Sequence, residues 1–215
     1  MLYIQEVFLS VQGESRSVGL PTIFVRLYGC NVQCSYCDQP QTKADKHKIS
    51  VERLIQKIEE LRVKRVCITG GEPLIQADVY SVIYDLVGKD YDVSIETNGC
   101  TLIDPDPYIR SYRYVMDIKC PSSGVANKNV FENLMNLQSK DEVKFVIANR
   151  KDYDFFLKTW RSYPTLASIL LSPVIKKTIY GFKPFIGQDL VKWILEDKLF
   201  NVRINLQAHK FLKVS

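Results

Sequence analysis

Along this chain, short β-rich runs alternate with stretches of helical periodicity, and that alternation leaves few folds open. Residues 22–28 (TIFVRLY), 65–69 (RVCIT), 92–97 (DVSIET), 112–118, 142–147 and 167–171 read as six core strands. A further N-terminal strand is expected at 3–9 and a C-terminal one at 202–206. Residues 50–61, 75–86, 129–138, 152–160 and 188–195 carry helical patterns. Val51, Leu54, Ile55, Ile58 and Leu61 make one apolar face behind Ser50 as N-cap. Val79, Val82 and Ile83 make another, with Gly88 as its stop. The pattern predicts an α/β fold with a mainly parallel sheet. The link between the third and fourth strands (DPDPYIR) is short and Pro-rich, so one helix is missing there. No repeat or linker divides the 215 residues, and 1–215 reads as one domain.

The charge balance is mild: 29 basic against 24 acidic residues, net +5, with no basic run of the kind that binds nucleic acid. The opening MLYIQEVFLS has no basic n-region followed by a long apolar stretch. No apolar run approaches the roughly 18 residues of a membrane span. A cytoplasmic protein is expected, where thiols stay reduced and clustered cysteines point to metal or redox chemistry.

Polar and glycine-rich motifs fall after the strands: GCNVQC after the first, GGEP after the second, NG after the third, KCPSSG after the fourth, SPV after the sixth. In parallel α/β folds functional groups gather at the C-terminal strand ends, so five such endings suggest one shared site. The first holds Cys30, Cys34 and Cys37, spaced C-x3-C-x2-C. A structural zinc site needs four ligands, yet Cys67, Cys100 and Cys120 stand singly and the only histidines are His47 and His209. A redox C-x-x-C pair leaves Cys30 unexplained. A [4Fe–4S] cluster normally takes four cysteines; with three, one iron is left open to bind something else. Cys67, inside a strand, reads as a small core residue, His47 as a surface loop residue, and the spacing of Cys100 and Cys120 argues against an auxiliary cluster.

The set Cys30, Cys34, Tyr36 and Cys37 resembles the cluster motif of the radical S-adenosylmethionine (SAM) superfamily, and TGGEP at 69–73 resembles that superfamily's second motif. The resemblance implies that the open iron binds the amino and carboxylate groups of SAM, which the reduced cluster cleaves to a 5′-deoxyadenosyl radical. It also implies a shortened, incomplete TIM-type barrel of about six parallel strands with flanking helices. Further stretches are similar to the 7-carboxy-7-deazaguanine synthase family: FLSVQGES (8–15, with Ser15 where the family has glycine), FVRLYGCN, ETNG, DIKCPSSG, SPV and QAHK. That family converts 6-carboxy-5,6,7,8-tetrahydropterin to 7-carboxy-7-deazaguanine with loss of ammonia, on the route to queuosine and other 7-deazapurines, with Mg2+ assisting.

The resemblance assigns residues. Cys30, Cys34 and Cys37 would hold the cluster. Tyr36, Cys37, Asp38, Gly70, Gly71, Glu72, Gly99, Lys119, Cys120, Ser122 and Ser172 would meet SAM, Tyr36 against the adenine and the glycines where backbone approaches the cofactor. Val11, Gln12, Gly13, Glu14, Arg26, Thr97 and His209 would meet the pterin, with Glu14 accepting two N–H bonds from its guanidine-like edge. Arg26 is a lone charge in an apolar strand, sharing a face with Phe24 and Tyr28; if that face looks into the barrel it is a carboxylate clamp, and if it looks outward a salt-bridged surface residue. Gln39 stands where many relatives have a threonine that ligates Mg2+; its carbonyl is also an oxygen ligand. Some relatives end in a proline whose carboxylate touches substrate, where this chain ends in Ser215. Flavodoxin or ferredoxin as reductant and a homodimer are expected, with no nucleic-acid or membrane partner. No general acid or base is assigned. Two alternatives stay open: a glycyl-radical activating enzyme, which shares the cluster motif and a GGEP-like segment, and a non-enzymatic zinc or redox module.

Overall fold

The computed structural model describes residues 1–39, 46–103, 111–178, 181–184 and 186–214. The 104–110 link and Ser215 lie outside the described residues. Strand β1 (Leu2–Val11) runs antiparallel to β2 (Pro21–Leu27), and β3 (His47–Ile49) pairs antiparallel on its other edge. From β2 the sheet continues in parallel through β4 (Arg65–Gly70), β5 (Asp92–Thr97), β6 (Arg113–Ile118), β7 (Glu142–Ile147) and β8 (Ser168–Pro173). A separate hairpin, β9 (Ile175–Thr178) with β10 (Gly181–Pro184), precedes β11 (Val202–Ile204), which adds in parallel to β8. In the order β11-β8-β7-β6-β5-β4-β2-β1-β3 the parallel strands follow the sequence from β2 to β11, β3 alone sits out of turn beyond β1, and the sheet does not close. This is the expected incomplete barrel, six parallel strands with one short strand beyond.

Right-handed crossovers between successive parallel strands place every connecting helix on the same side of the sheet. Period-two alternation then divides the strand residues. Ile23, Val25 and Leu27 of β2, Val66 and Ile68 of β4, and Phe145 and Ile147 of β7 join the buried core with α1 (Val51–Glu60), α2 (Val79–Gly88) and α4 (Arg150–Ser162). Each such apolar side chain contributes about 1.5–3 kcal/mol. Their alternates, among them Phe24, Arg26, Thr69, Glu96, Asp117 and Lys144, look into a lumen. After β1 the chain crosses the lower end of that lumen. The backbone of Gln12 bonds Leu20 O at 2.9 Å and Gly19 N at 2.8 Å, and Arg16 N donates to Glu142 Oε2 at 3.1 Å.

Where a helix has a polar cap and a clean apolar stripe, its position follows the sequence. Ser50 Oγ accepts from Arg53 N at 3.2 Å to start α1, and Asn149 Oδ1 accepts from Asp152 N at 3.1 Å to start α4. The helix expected from residue 75 starts later: Pro73–Ile75 makes a 3₁₀ turn and α2 begins at Val79, because Gln76 is spent joining Tyr3 and Tyr28 backbone. The helix expected at 129–138 shrinks to α3 (Asn133–Asn136). Asn129 binds both backbone groups of Lys119, and Asn133 binds Thr101 O and Ile103 N, so both side chains anchor neighbouring loops. His47, expected in a loop, is an exposed residue of β3. Helices α5 (Gly187–Glu196) and α6 (Ala208–Leu212) complete the chain. No helix among the described residues is long and apolar enough to cross a membrane.

Candidate active site

A cavity of about 1180 Å³ occupies the lumen and opens at the C-terminal strand ends. Its rim on one side is the loop after β2, which carries Cys30, Cys34 and Cys37. Two neighbouring strand ends hold this loop. Asn31 Nδ2 donates to Cys100 O at 3.3 Å and Thr101 Oγ at 3.1 Å, after β5. Ser35 donates through N to Ser123 O at 2.9 Å and through Oγ to Ser122 O at 2.7 Å, after β6. Asn98 Nδ2 stands 3.6 Å from Cys30 Sγ, a donor for a thiolate. Burial pushes the Cys34 thiol up, and the Lys119 ammonium offsets only part of that. Among the described residues no three or more of His, Cys, Asp and Glu converge tightly enough for a single metal ion. The donor set itself is three thiols on one short loop, all opening on the cavity, one for each of three irons of a cubane. The three cysteines therefore fit the cluster.

Tyr36, Asp38 and Gln39 from the same loop also line the cavity, as do Lys119 and Ser172. Tyr36 Oη is buried without a partner among the described residues, and burial with the nearby Asp117 charge pushes its pKa up, so the ring is a neutral wall. Ser172 lies within β8 rather than after it and accepts from Asn205 Nδ2 at 2.9 Å. Four residues expected to meet SAM stand behind the wall. Glu72 is wholly buried, accepting from Thr97 Oγ at 2.8 Å, Asn98 N at 2.6 Å and Leu74 N at 3.0 Å. These bonds tie the GGEP turn to the end of β5. The Cys120 side chain belongs to the core, Ser122 bonds the cysteine loop and α4, and Gly99 (φ +69) turns the chain against Met116. The glycines of GGEP line the cavity, yet a packing reason for them is clear: a β-carbon on Gly70 or Gly71 would fall 2.2 Å from Leu27 O or 1.8 Å from Gly29 O.

The opposite wall brings together the residues expected to meet substrate. Val11, Gln12, Gly13, Glu14, Arg26, Thr97 and His209 all line the cavity. Arg26 pairs with Glu6 and lies over the Phe8 ring, 4.9 Å from its centroid. Helix α6 rests on the crossing loop: Ala208 N donates to Gly13 O at 2.8 Å, and a β-carbon on Gly13 would strike the His209 ring. Lys210 pairs with Asp38 at 3.4 Å, so α6 spans from the crossing loop to the cysteine loop. Glu14 is not a free carboxylate. Its Oε2 accepts from Lys144 Nζ at 2.9 Å and Asn205 Nδ2 at 3.1 Å, and its Oε1 from Gln207 Nε2 at 2.8 Å. Burial alone would push Glu14 up; Lys144 and Gln207 outweigh it and hold the group well below the usual carboxylate range. Glu96, Asp117 and Gln207 open the motifs ETNG, DIKCPSSG and QAHK but were given no role from sequence, and Lys144 and Asn205 lie outside every motif. The signal was present for Lys144, which alternates with Phe145 in EVKFVI as Arg26 does with Val25.

An incomplete parallel barrel with a three-cysteine loop at its mouth defines an enzyme of the radical SAM class, and the family model described as Radical SAM superfamily matches residues 24–114. Such enzymes use a [4Fe–4S] cluster and S-adenosylmethionine. The chain is 37% identical over 221 residues to the 7-carboxy-7-deazaguanine synthase of Koribacter versatilis, covering 98% of this chain and 96% of the relative. It is 41% identical over 211 residues to that of Methanospirillum hungatei, covering 97% and 84%. The chain belongs to the 7-carboxy-7-deazaguanine synthase family. In fold it is similar to the crystal structure of QueE from Escherichia coli, with a TM-score of 0.73, 22% identity and coverage of 97% of this chain and 94% of that one.

Proposed function

We propose that this chain carries out the reaction of its family, contracting 6-carboxy-5,6,7,8-tetrahydropterin to 7-carboxy-7-deazaguanine with loss of ammonia. The observation that carries this reading is the shared cavity: three cysteines open on one side of it, and Gln12, Glu14, Arg26 and His209 on the other. When bound, the cluster and SAM supply one-electron, hydrogen-abstracting chemistry. The chain's own work is orientation within roughly 3–3.5 Å contacts. Cys30, Cys34 and Cys37 hold the cluster. Tyr36, Asp38, Gly70, Gly71, Lys119 and Ser172 flank SAM, while Glu72, Gly99, Cys120 and Ser122 act from behind by fixing the loops. Gln12, Gly13, Glu14 and His209 take the guanidine-like edge, supported by Thr97, and Arg26 takes the carboxylate. Gln39 offers Mg2+ an oxygen. The reading includes one domain, a cytoplasmic setting, a flavodoxin or ferredoxin reductant and a homodimer. The glycyl-radical activase alternative is not favoured, since nothing in it needs the crossing loop and α6.

The test is anaerobic. Protein reconstituted with iron and sulfide is given dithionite, SAM and 6-carboxytetrahydropterin, and 7-carboxy-7-deazaguanine is sought by mass. Product is expected, and it disappears with Cys34→Ala. SAM cleavage without that product would overturn the substrate assignment.

A further inference from the structure

We propose that Lys144 is a positioning residue for this reaction: it holds the Glu14 carboxylate in one orientation across the lumen, leaving a single acceptor position for substrate. The inference rests on the substrate reading above. A carboxylate offers about four acceptor positions on its two oxygens. Lys144 and Asn205 occupy Oε2, and Gln207 occupies one position on Oε1. Among the described residues one remains, on Oε1, so Glu14 accepts one N–H of the pterin rather than the two its sequence motif suggests. The neighbouring N–H must find its acceptor elsewhere in the wall.

Lys144 is the cation at the centre of this wall. It rises from β7 with Nζ 2.9 Å from Glu14 and 3.9 Å from Asp117 of β6, and both partners of the Glu14 pair are largely buried. Glu96 of β5 is engaged by Gln12 at 3.3 Å and Thr69 at 3.0 Å, and Asp117 by Lys119 at 3.0 Å. From α6, His209 faces Glu14, with Lys210 beside it on Gln207. Take away Lys144, and burial next to the Glu96 and Asp117 carboxylates favours the protonated Glu14, a weaker and reoriented acceptor.

The test compares wild type, Lys144→Met, Lys144→Arg, Glu14→Gln and the double variant with 6-carboxytetrahydropterin as substrate. Lys144→Met is expected to raise KM about 10- to 100-fold at neutral pH, the effect of losing a hydrogen bond to a charged group, with a smaller change in kcat. The ratio of its KM to that of wild type should fall as pH rises and Glu14 ionises, the titration of His209 being common to both proteins. Lys144→Arg should recover part of the loss. In the Glu14→Gln background, Lys144→Met should change KM no further, because Lys144 acts through Glu14. Cluster absorbance and SAM cleavage verify that each variant is folded. The double variant removes both members of the Glu14–Lys144 pair and leaves neither buried alone, so the comparison survives if Lys144→Met alone does not fold. Multiplying effects of the two substitutions would make Lys144 a direct substrate ligand and overturn the inference, as would an unchanged KM in Lys144→Met. A wild type that cleaves SAM but leaves the pterin untouched overturns the substrate reading instead.

Discussion

Gly71 has no room for a side chain. A β-carbon there would lie 1.8 Å from Gly29 O and 2.4 Å from Gly29 C, both backbone atoms of the segment that launches the cysteine loop. Backbone cannot step aside as a flexible side chain can, so Gly71→Ala must part the ends of β2 and β4. A loss of at least about 3 kcal/mol is expected, at the upper end for overpacking. Gly88, the last residue of α2, is the control: nothing lies within 4 Å of its added β-carbon. Gly88→Ala should gain up to about 1 kcal/mol from chain entropy. Thermal unfolding separates them, at about 2–4 °C per kcal/mol for a chain of this size; equal shifts would defeat the packing argument. The GGEP motif was legible as a motif, but its packing role was not, because the neighbour that forbids a side chain lies more than forty residues away in the sequence. Ser15 shows the same limit. The family's glycine position has φ +65 here, a left-handed backbone that explains the glycine, and Ser15 fits by turning its Oγ to the Ser17 N–H at 3.3 Å.

Elements divide by how local their causes are. Helices α1 and α4 were readable because cap and apolar stripe lie within a dozen residues. The hairpin β9–β10 was not, since IKKT and GFKP carry no apolar alternation, and three-residue β3 is too short to show a period. Helix α6 is the element whose place matters most to the site and whose sequence says least: five residues with no side-chain N-cap bond, held by the crossing loop. Burial lowers the His209 pKa from its usual 6.5, with the Glu14 charge opposing. A released α6 therefore binds a proton more readily than a docked one. The docking stability that follows is fully present above the released value of 6.5 and is lost as pH falls through the docked value. Amide exchange in 207–212, corrected for intrinsic rates, should show less protection at about pH 5.5 than at about pH 7.5. His209→Gln should remove that dependence; a dependence that survives would assign it to another group.

At the scale of the whole molecule, the sheet separates stability from chemistry. Its helix-facing side carries the continuous apolar core, and its other side carries the charges, the cavity and the cysteine loop. The strand order was legible because each crossover is local, whereas the polar wall was assembled from five strands and read only where a family motif marked it. Glu14 meets Lys144 across 130 residues and Gln207 across 193, distances over which one sequence gives no pairing signal. This separation sets how the protein answers loss of its cluster. Cys30 and Cys37 are exposed, and Asn31 and Ser35 tie their loop to the segments after β5 and β6. In a zinc finger the metal supplies the folding energy; here the core supplies it. Anaerobic chelation of iron should leave the far-UV circular dichroism unchanged and shift the unfolding midpoint by only a few degrees, since one or two kcal/mol moves a chain of this size about that far. Residues 29–39 should become the preferred site of proteolysis. SAM at about 100 times its Kd should then stabilise the cluster-loaded protein by about 2.7 kcal/mol and the chelated protein much less, because the iron that anchors it is gone. A cooperative loss of helix signal on chelation would show instead that the cluster is part of the fold, and that the two faces of the sheet are not independent.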